Sequence, residues 1–204
     1  MMVYIGRLKA LPIYEKISYP LMLIAFASLL QDWNRYYNFT DYTNIESQTF
    51  LFNIQFLTSL MVTAAFASIV RLNQQTTYSS PFKKEEPIRG LCNMGLVIIL
   101  STSLYFMFYN EIESFWEQKY LSSTFTIPAI GDTSEYTQRD QDIREFETLW
   151  LINYSAFFGL AMSLVLILFV RNKVLSFANI AYNMLVMAAF IVIGLASLAA
   201  LRTS

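Results

Sequence analysis

Few side chains in this sequence are suited to chemistry, and the most reactive types are almost absent. Among 204 residues there is no histidine and one cysteine, Cys92. Histidine is the usual general base near neutral pH, and structural zinc sites need several thiolate or imidazole ligands. The sequence therefore excludes histidine-containing triads, zinc centres built from several cysteines and a disulfide within the chain. We predict no metal site and no cofactor.

Carboxylates are the remaining candidates for acid–base chemistry, and many of them lie in residues 110–147. Glu113 and Glu117 are four residues apart, so on a helix they share a face. Such a pair could bind a hard cation or exchange a proton, but a solvated helix face has the same pattern. Glu111 follows an aromatic run that ends at Tyr109. At the edge of the hydrocarbon its carboxylate would serve a general acid or a proton-coupled carrier, or simply mark the end of a span.

Amide side chains in the apolar segments form a second group of candidates. They are Asn53, Gln55, Asn153, Asn179 and Asn183. Asn179 and Asn183 are one helical turn apart and share a face. In lipid such amides usually hydrogen-bond to neighbouring helices, at about 1 kcal/mol for each bond. The alternative is an amide-lined path for a substrate or an ion.

The elements that must position these side chains are membrane-spanning helices. The chain is 55% hydrophobic and 14% charged, which is too apolar for a soluble domain. A bilayer core of roughly 30 Å needs about 20 apolar residues in a helix. Five segments fit this requirement, at residues 12–30, 50–70, 91–109, 149–170 and 178–201. We predict an all-α, polytopic transmembrane helical bundle that forms a single domain over residues 1–204.

The first segment differs from the other four because its uncharged run, residues 17–31, is short and directly follows two charged residues. It can span a bilayer only if Glu15 and Lys16 lie at the headgroups. A cleaved secretory signal is the alternative, since Arg7 and Lys9 precede an apolar run that contains the small-x-small pattern of residues 25–27.

The acidic segment 110–147 is predicted to be an external loop. Its two ends, residues 111–119 and 138–148, have the composition of helical continuations of the third and fourth spans. Its centre contains Pro128, Gly131 and Asp132, which favour a turn.

Basic residues predict the orientation, because positive charge is retained on the cytoplasmic side of a membrane. The chain has 14 lysines and arginines. Nine lie in the N-terminal arm and in the loops after the second and fourth spans: Arg7, Lys9, Lys16, Arg71, Lys83, Lys84, Arg89, Arg171 and Lys173. The other five are Arg35, Lys119, Arg139, Arg144 and Arg202. We therefore expect a cytoplasmic N-terminus and an external C-terminus, in a bacterial inner membrane.

Aromatic residues agree with this frame. Trp33, Trp116 and Trp150 all fall near the predicted outer boundary, where tryptophan forms interfacial belts. An aromatic shelf that binds a carbohydrate or a lipid is the alternative.

Several short residue combinations occur in a particular order. They are Pro20-Leu21 before Asp32-Trp33, Asn53 with Phe56-Leu57-Thr58, Tyr109-Asn110-Glu111-Ile112, and Trp150 with Asn153-Tyr154-Ser155. In order and spacing, over most of the chain, they resemble part of a group of large, many-spanning bacterial membrane proteins of unknown function. The resemblance implies that this chain is a piece of a longer protein. It supplies no catalytic residues.

These observations favour a non-catalytic function. We expect a helical membrane module that serves as a scaffold or assembly subunit, with the lipid bilayer and other transmembrane helices or subunits as partners. Two alternatives stay open: a transporter or channel component, and a membrane enzyme acting on a lipid-linked or glycan substrate. With a net charge of −1 and no basic aromatic stretch, we expect no nucleic-acid binding.

Overall fold

The computed structural model describes residues 2–9, 11–37, 49–74, 87–127, 136–170 and 172–203. Its elements are α1 (Met2–Leu8), α2 (Pro12–Tyr36), α3 (Ile54–Gln74), α4 (Pro87–Ser122), β1 (Phe125–Ile127), β2 (Tyr136–Gln138), α5 (Asp142–Val165), α6 (Lys173–Ala189) and α7 (Leu195–Thr203). A π-helical turn over Leu166–Val170 continues α5, and another over Phe190–Gly194 joins α6 to α7. The predicted all-α class is confirmed.

Five helical segments in the described part of the chain are long and apolar enough to cross a membrane. They are Ile13–Tyr36, Ile54–Asn73, Gly90–Ser122, Asp142–Leu168 and Lys173–Thr203. They follow the five predicted spans in order, and most extend several residues further at one or both ends. The chain is therefore compatible with a multi-pass integral membrane protein.

Local sequence explains where several helices begin. Leu11 precedes Pro12 and adopts an extended conformation (φ −104°, ψ 96°), because the proline ring disfavours helical geometry in the residue before it. This residue separates α1 from α2. The Asn53 side chain accepts a hydrogen bond from the Phe56 amide at 2.7 Å, at the start of α3. Asn172 caps α6 in the same way.

The predicted external loop is helical at both ends. At about 1.5 Å per residue, the 36 residues of α4 extend roughly 54 Å, well beyond a hydrocarbon core of about 30 Å. Helix α4 therefore includes residues 111–119, as predicted, whereas α5 begins only at Asp142 because residues 136–138 form β2. The antiparallel pair of β1 and β2 was not predicted. The expected turn at Pro128, Gly131 and Asp132 lies outside the described residues.

The chain divides into two compact units. The first contains α1, α2, α3 and α4 up to Phe108, and the second contains α4 from Tyr109 and everything that follows it. The core of the first unit consists of one cluster of Val3, Met22, Phe66, Leu96 and Ile99 and another of Leu29, Trp33 and Met107. Trp33 is only 6% exposed, and its indole N–H donates to Ser59 Oγ at 2.8 Å. This tryptophan therefore belongs to the core rather than to a lipid-facing belt.

Candidate functional site

One of the predicted carboxylates, that of Glu117, meets an arginine where α4 ends and α5 begins. Arg144 Nη2 lies 3.2 Å from Glu117 Oε1, and Arg144 Nη1 lies 4.0 Å from Glu147 Oε2. Both glutamates are buried, whereas the Arg144 side chain is 44% exposed. Of these three residues, the sequence indicated Glu117 as a candidate, but neither Arg144 nor Glu147. The charged residues of 110–147 are mostly acidic, so spacing along the sequence indicated contacts between like charges. It did not indicate that Arg144, which is in the next helix, pairs with Glu117.

An aromatic ring orients this arginine. The Arg144 guanidinium carbon lies 4.3 Å from the centre of the Tyr120 ring, and that of Arg139 lies 5.6 Å from it. Gln141 Nε2 donates to the Tyr120 hydroxyl at 3.3 Å. We call Glu117, Tyr120, Gln141, Arg144 and Glu147 the Arg144 cluster. It joins the end of α4 to the start of α5.

The other two predicted carboxylates differ in their surroundings. Glu113 is half-buried and one turn from Glu117 on the same face of α4, as expected from the spacing. Glu111 is almost fully buried, at 2% exposed. Six residues along a helix correspond to a rotation of about 240°, so Glu111 projects from a different side of α4 than Glu117. The structure therefore does not bring the three predicted carboxylates together on one face.

The chemistry open to the Arg144 cluster is limited by its pairing. Glu117 shares Arg144 with Glu147, and an ion pair with a partly exposed arginine contributes only about 0–1 kcal/mol.

Lys119 Nζ lies over the rings of Phe115 and Trp116, at 4.6 Å and 5.3 Å from their centres. Among the described residues, no group of three or more cysteines, aspartates and glutamates is arranged to hold a metal ion.

A second polar cluster, in the first unit, was not predicted. Arg7 Nη2 and Nε donate to the two carboxylate oxygens of Glu15 at 2.7 Å and 3.3 Å. The side chains are 3% and 0% exposed. The Tyr19 hydroxyl donates to the same carboxylate at 3.1 Å. This bidentate geometry is the strongest form of an arginine–carboxylate pair.

The same arginine reaches the end of the second span. Arg7 Nη1 donates to the Leu72 carbonyl at 3.1 Å, and Nη2 also donates to Asn73 Oδ1. Asn73 Nδ2 in turn donates to Asn93 Oδ1 at 3.0 Å. The last carbonyls of a helix have no partner inside the helix, and a cation there is favourable. We call these residues, with Glu15 and Tyr19, the Arg7 cluster; they tie α1, α2, α3 and α4 together.

One signal in the sequence could have indicated this pair. Arg7 and Glu15 have opposite charges and flank the helix break at Leu11-Pro12, so a fold-back of α1 would bring them together. Sequence analysis instead required Glu15 to lie at the headgroups. The contacts with Leu72 and Asn73 depend on tertiary structure, and no local pattern indicates them.

The amides of the last span face α5. Asn179 Nδ2 donates to Ser163 Oγ at 2.6 Å, and Asn183 Nδ2 lies 3.4 Å from both Ser163 Oγ and the Gly159 carbonyl. The Tyr182 hydroxyl donates to the Ser155 carbonyl at 3.1 Å. We call this interface the amide seam.

Close helix packing makes the amide seam possible. Ser155, Gly159 and Ser163 are spaced four residues apart, which is the small-xxx-small pattern of tightly packed membrane helices. A Cβ atom on Gly159 would lie 2.5 Å from Asn183 Oδ1 and 2.9 Å from Tyr182 Cε1. Asn179 and Asn183 were predicted as polar contacts from the sequence, whereas Gly159 and Ser163, which lie opposite them in α5, were not.

The other predicted amides are elsewhere. Asn53 caps the first turn of α3. Gln55 is half-buried in that turn. Asn153 is exposed, and its Nδ2 donates to the Leu149 carbonyl of its own helix at 2.8 Å. These three are not part of the amide seam.

Comparisons with protein-family models, curated proteins and solved structures give no match for this chain. The resemblance to large, many-spanning bacterial membrane proteins therefore stays a prediction.

Proposed function

We propose that this chain is a non-catalytic helical membrane module, a scaffold or assembly subunit that packs against further transmembrane helices or subunits. The buried and half-buried polar groups of the Arg7 cluster and the amide seam support this proposal, because they bond to one another and to backbone carbonyls. Each cluster joins helices. None of these contacts requires a substrate.

The proposal rests mainly on the large exposed apolar surface of the spans. In the most apolar part of each span, only 11% to 22% of the residues are buried within the described structure, and the last span has the lowest share. Helices in a bilayer associate by close packing and polar contacts, so this surface is available to lipid and to further helices.

The proposal includes an orientation. The basic residues favour a cytoplasmic N-terminus and an external C-terminus, in a bacterial inner membrane. In that orientation the Arg7 cluster faces the cytoplasmic side, and the connection between α4 and α5 is external.

Isosteric substitution of the predicted acids separates a scaffold from an enzyme. We expect Glu111→Gln, Glu113→Gln and Glu117→Gln each to complement a deletion strain as fully as the parent chain does. This holds for each variant that reaches the membrane in the same amount as the parent chain. Glutamine keeps the shape of the side chain but cannot transfer a proton as a carboxyl group does. Complementation and membrane abundance are measured together for each variant.

An enzyme or a proton-coupled carrier predicts a different result. Loss of the phenotype in one variant at unchanged abundance would contradict the proposed function and assign a chemical role to that carboxylate. Asn153→Ala is a suitable control, because this exposed amide donates to the Leu149 carbonyl of its own helix.

A further inference from the structure

Helix α1 is held firmly against the beginning of α2. A Cβ atom on Gly6 would lie 3.2 Å from Tyr14 Cβ and 3.3 Å from the Glu15 nitrogen, so the two backbones approach closely. Val3, Gly6 and Arg7 form the buried face of α1. The spacing of these three residues is that of one side of a helix.

The opposite face of α1 is apolar and exposed. Met2, Tyr4, Ile5 and Leu8 are 38% to 53% exposed. At the start of α2, Leu11, Ile13, Tyr14 and Ile17 are exposed as well. Large apolar side chains exposed in such number are unfavourable in water and usually mark a surface that binds a membrane or a partner.

The contacts of Arg7 fix the depth of α1. Arg7 donates to the carbonyl of Leu72, and the second candidate span ends one residue later at Asn73. The end of α1, at Arg7, therefore lies at the level where the span leaves the hydrocarbon, which is the headgroup zone of a bilayer. A short helix that ends at that level and exposes an apolar face is suited to contact the boundary between headgroups and acyl chains.

Two lysines lie beside this surface. Lys9 follows α1 directly, Lys16 is in the second turn of α2, and both are exposed. Their ammonium groups complement the phosphates of anionic lipid headgroups, which attract basic residues near the surface of a bilayer.

We propose that α1 and the first turns of α2 form an interfacial surface that binds a bilayer leaflet containing anionic phospholipid. The apolar side chains of Tyr4, Ile5 and Leu8 enter the boundary between headgroups and acyl chains. Lys9 and Lys16 contact the phosphates, and the Arg7–Glu15 pair holds the helix at this depth. The inference depends on the membrane-spanning part of the proposed function and is independent of the scaffold role.

Spin labelling of the full chain tests this proposal. A nitroxide at Leu8→Cys, in a Cys92→Ser background, is measured in vesicles of phosphatidylcholine alone and of phosphatidylcholine mixed with phosphatidylglycerol. We expect the Leu8 label to be more accessible to oxygen than to a water-soluble nickel complex, and phosphatidylglycerol to increase this difference. Labels at Ile24→Cys, in the exposed middle of α2, and Asp140→Cys, in an exposed turn, serve as lipid and water references.

The lysine variants test headgroup recognition. Lys9→Gln combined with Lys16→Gln should abolish the effect of phosphatidylglycerol, whereas Lys173→Gln, at an exposed lysine of α6, should leave it intact. A Leu8 label as water-accessible as the Asp140 label would overturn the proposal. So would an effect of phosphatidylglycerol that is absent or independent of Lys9 and Lys16, or a label shielded from both reagents by a second copy of the chain. A water-accessible Ile24 label would instead contradict the membrane span itself.

Discussion

Arg7→Met should lower the free energy of unfolding by about 3–5 kcal/mol, the usual cost of leaving a buried charge without its partner. The substitution leaves the Glu15 carboxylate fully buried, with the Tyr19 hydroxyl as a remaining donor. It also removes the donor to the Leu72 carbonyl at the end of α3. Unfolding of the purified chain in mixed micelles, at increasing fractions of a denaturing detergent, measures the change.

Two further variants make this result specific to the pair. Arg35→Met removes an exposed arginine from α2, and we expect a change within about 0.5 kcal/mol, as for other surface substitutions. Arg7→Met combined with Glu15→Gln should be more stable than Arg7→Met alone, because no uncompensated charge is then buried. A cost for Arg7→Met no larger than that for Arg35→Met would contradict the buried ion pair.

Gly159→Ala should destabilise the amide seam by about 1–3 kcal/mol, the usual range for an overpacked site. The added methyl group would lie 2.5 Å from Asn183 Oδ1 and 2.9 Å from Tyr182 Cε1, so α5 and α6 must separate or the amide must move. Intrinsic helix propensity alone would favour alanine over glycine by about 1 kcal/mol. The sign of the change therefore decides between close packing and an open interface.

The chain offers a matched control for this prediction. Gly95 is in α4, and a Cβ atom there would meet nothing within 4 Å. Gly95→Ala should leave stability unchanged or raise it by up to about 1 kcal/mol. The same unfolding titration measures both variants. Equal and stabilising effects at Gly159 and Gly95 would show that α5 and α6 are not in close contact at the amide seam.

The sequence predicted what depends on hydropathy along a single helix. Five charge-free or nearly charge-free runs predicted five spans, because each helix in a bilayer must satisfy its own backbone. The helix ends were less accurate. Hydropathy indicates which residues lie in lipid, but it does not indicate where a helix ends. Helix α4 continues through polar residues as far as Ser122, and β1 begins at Phe125. Strands of three residues, such as β1 and β2, are too short to give a recognisable alternation.

The candidate sites were predicted only as far as one helix face allows. Helical spacing correctly put Glu113 beside Glu117 and Asn179 beside Asn183. It could not indicate that Arg144 approaches Glu117 from the following helix. Partners that are distant in sequence depend on how helices pack, and a single sequence contains no direct record of that packing.

The contacts of Arg7 with Leu72 and Asn73 illustrate the same limit. They join residues separated by 65 and 66 positions. Every residue has a backbone carbonyl, so the residue type at a helix end does not indicate that its carbonyl accepts a hydrogen bond from Arg7. For this reason the sequence indicated Arg7 only as part of the positive N-terminal arm.

We propose that this chain crosses the membrane five times, with its N-terminus in the cytoplasm. Single cysteines at Lys84 and Asp132, in a Cys92→Ser background, test it directly, although both positions lie outside the described residues. An impermeant maleimide should label the cysteine at position 132 in intact spheroplasts, and the one at position 84 only after the membrane is permeabilised. Labelling of both cysteines in intact spheroplasts, or labelling in the reverse pattern, would contradict the account.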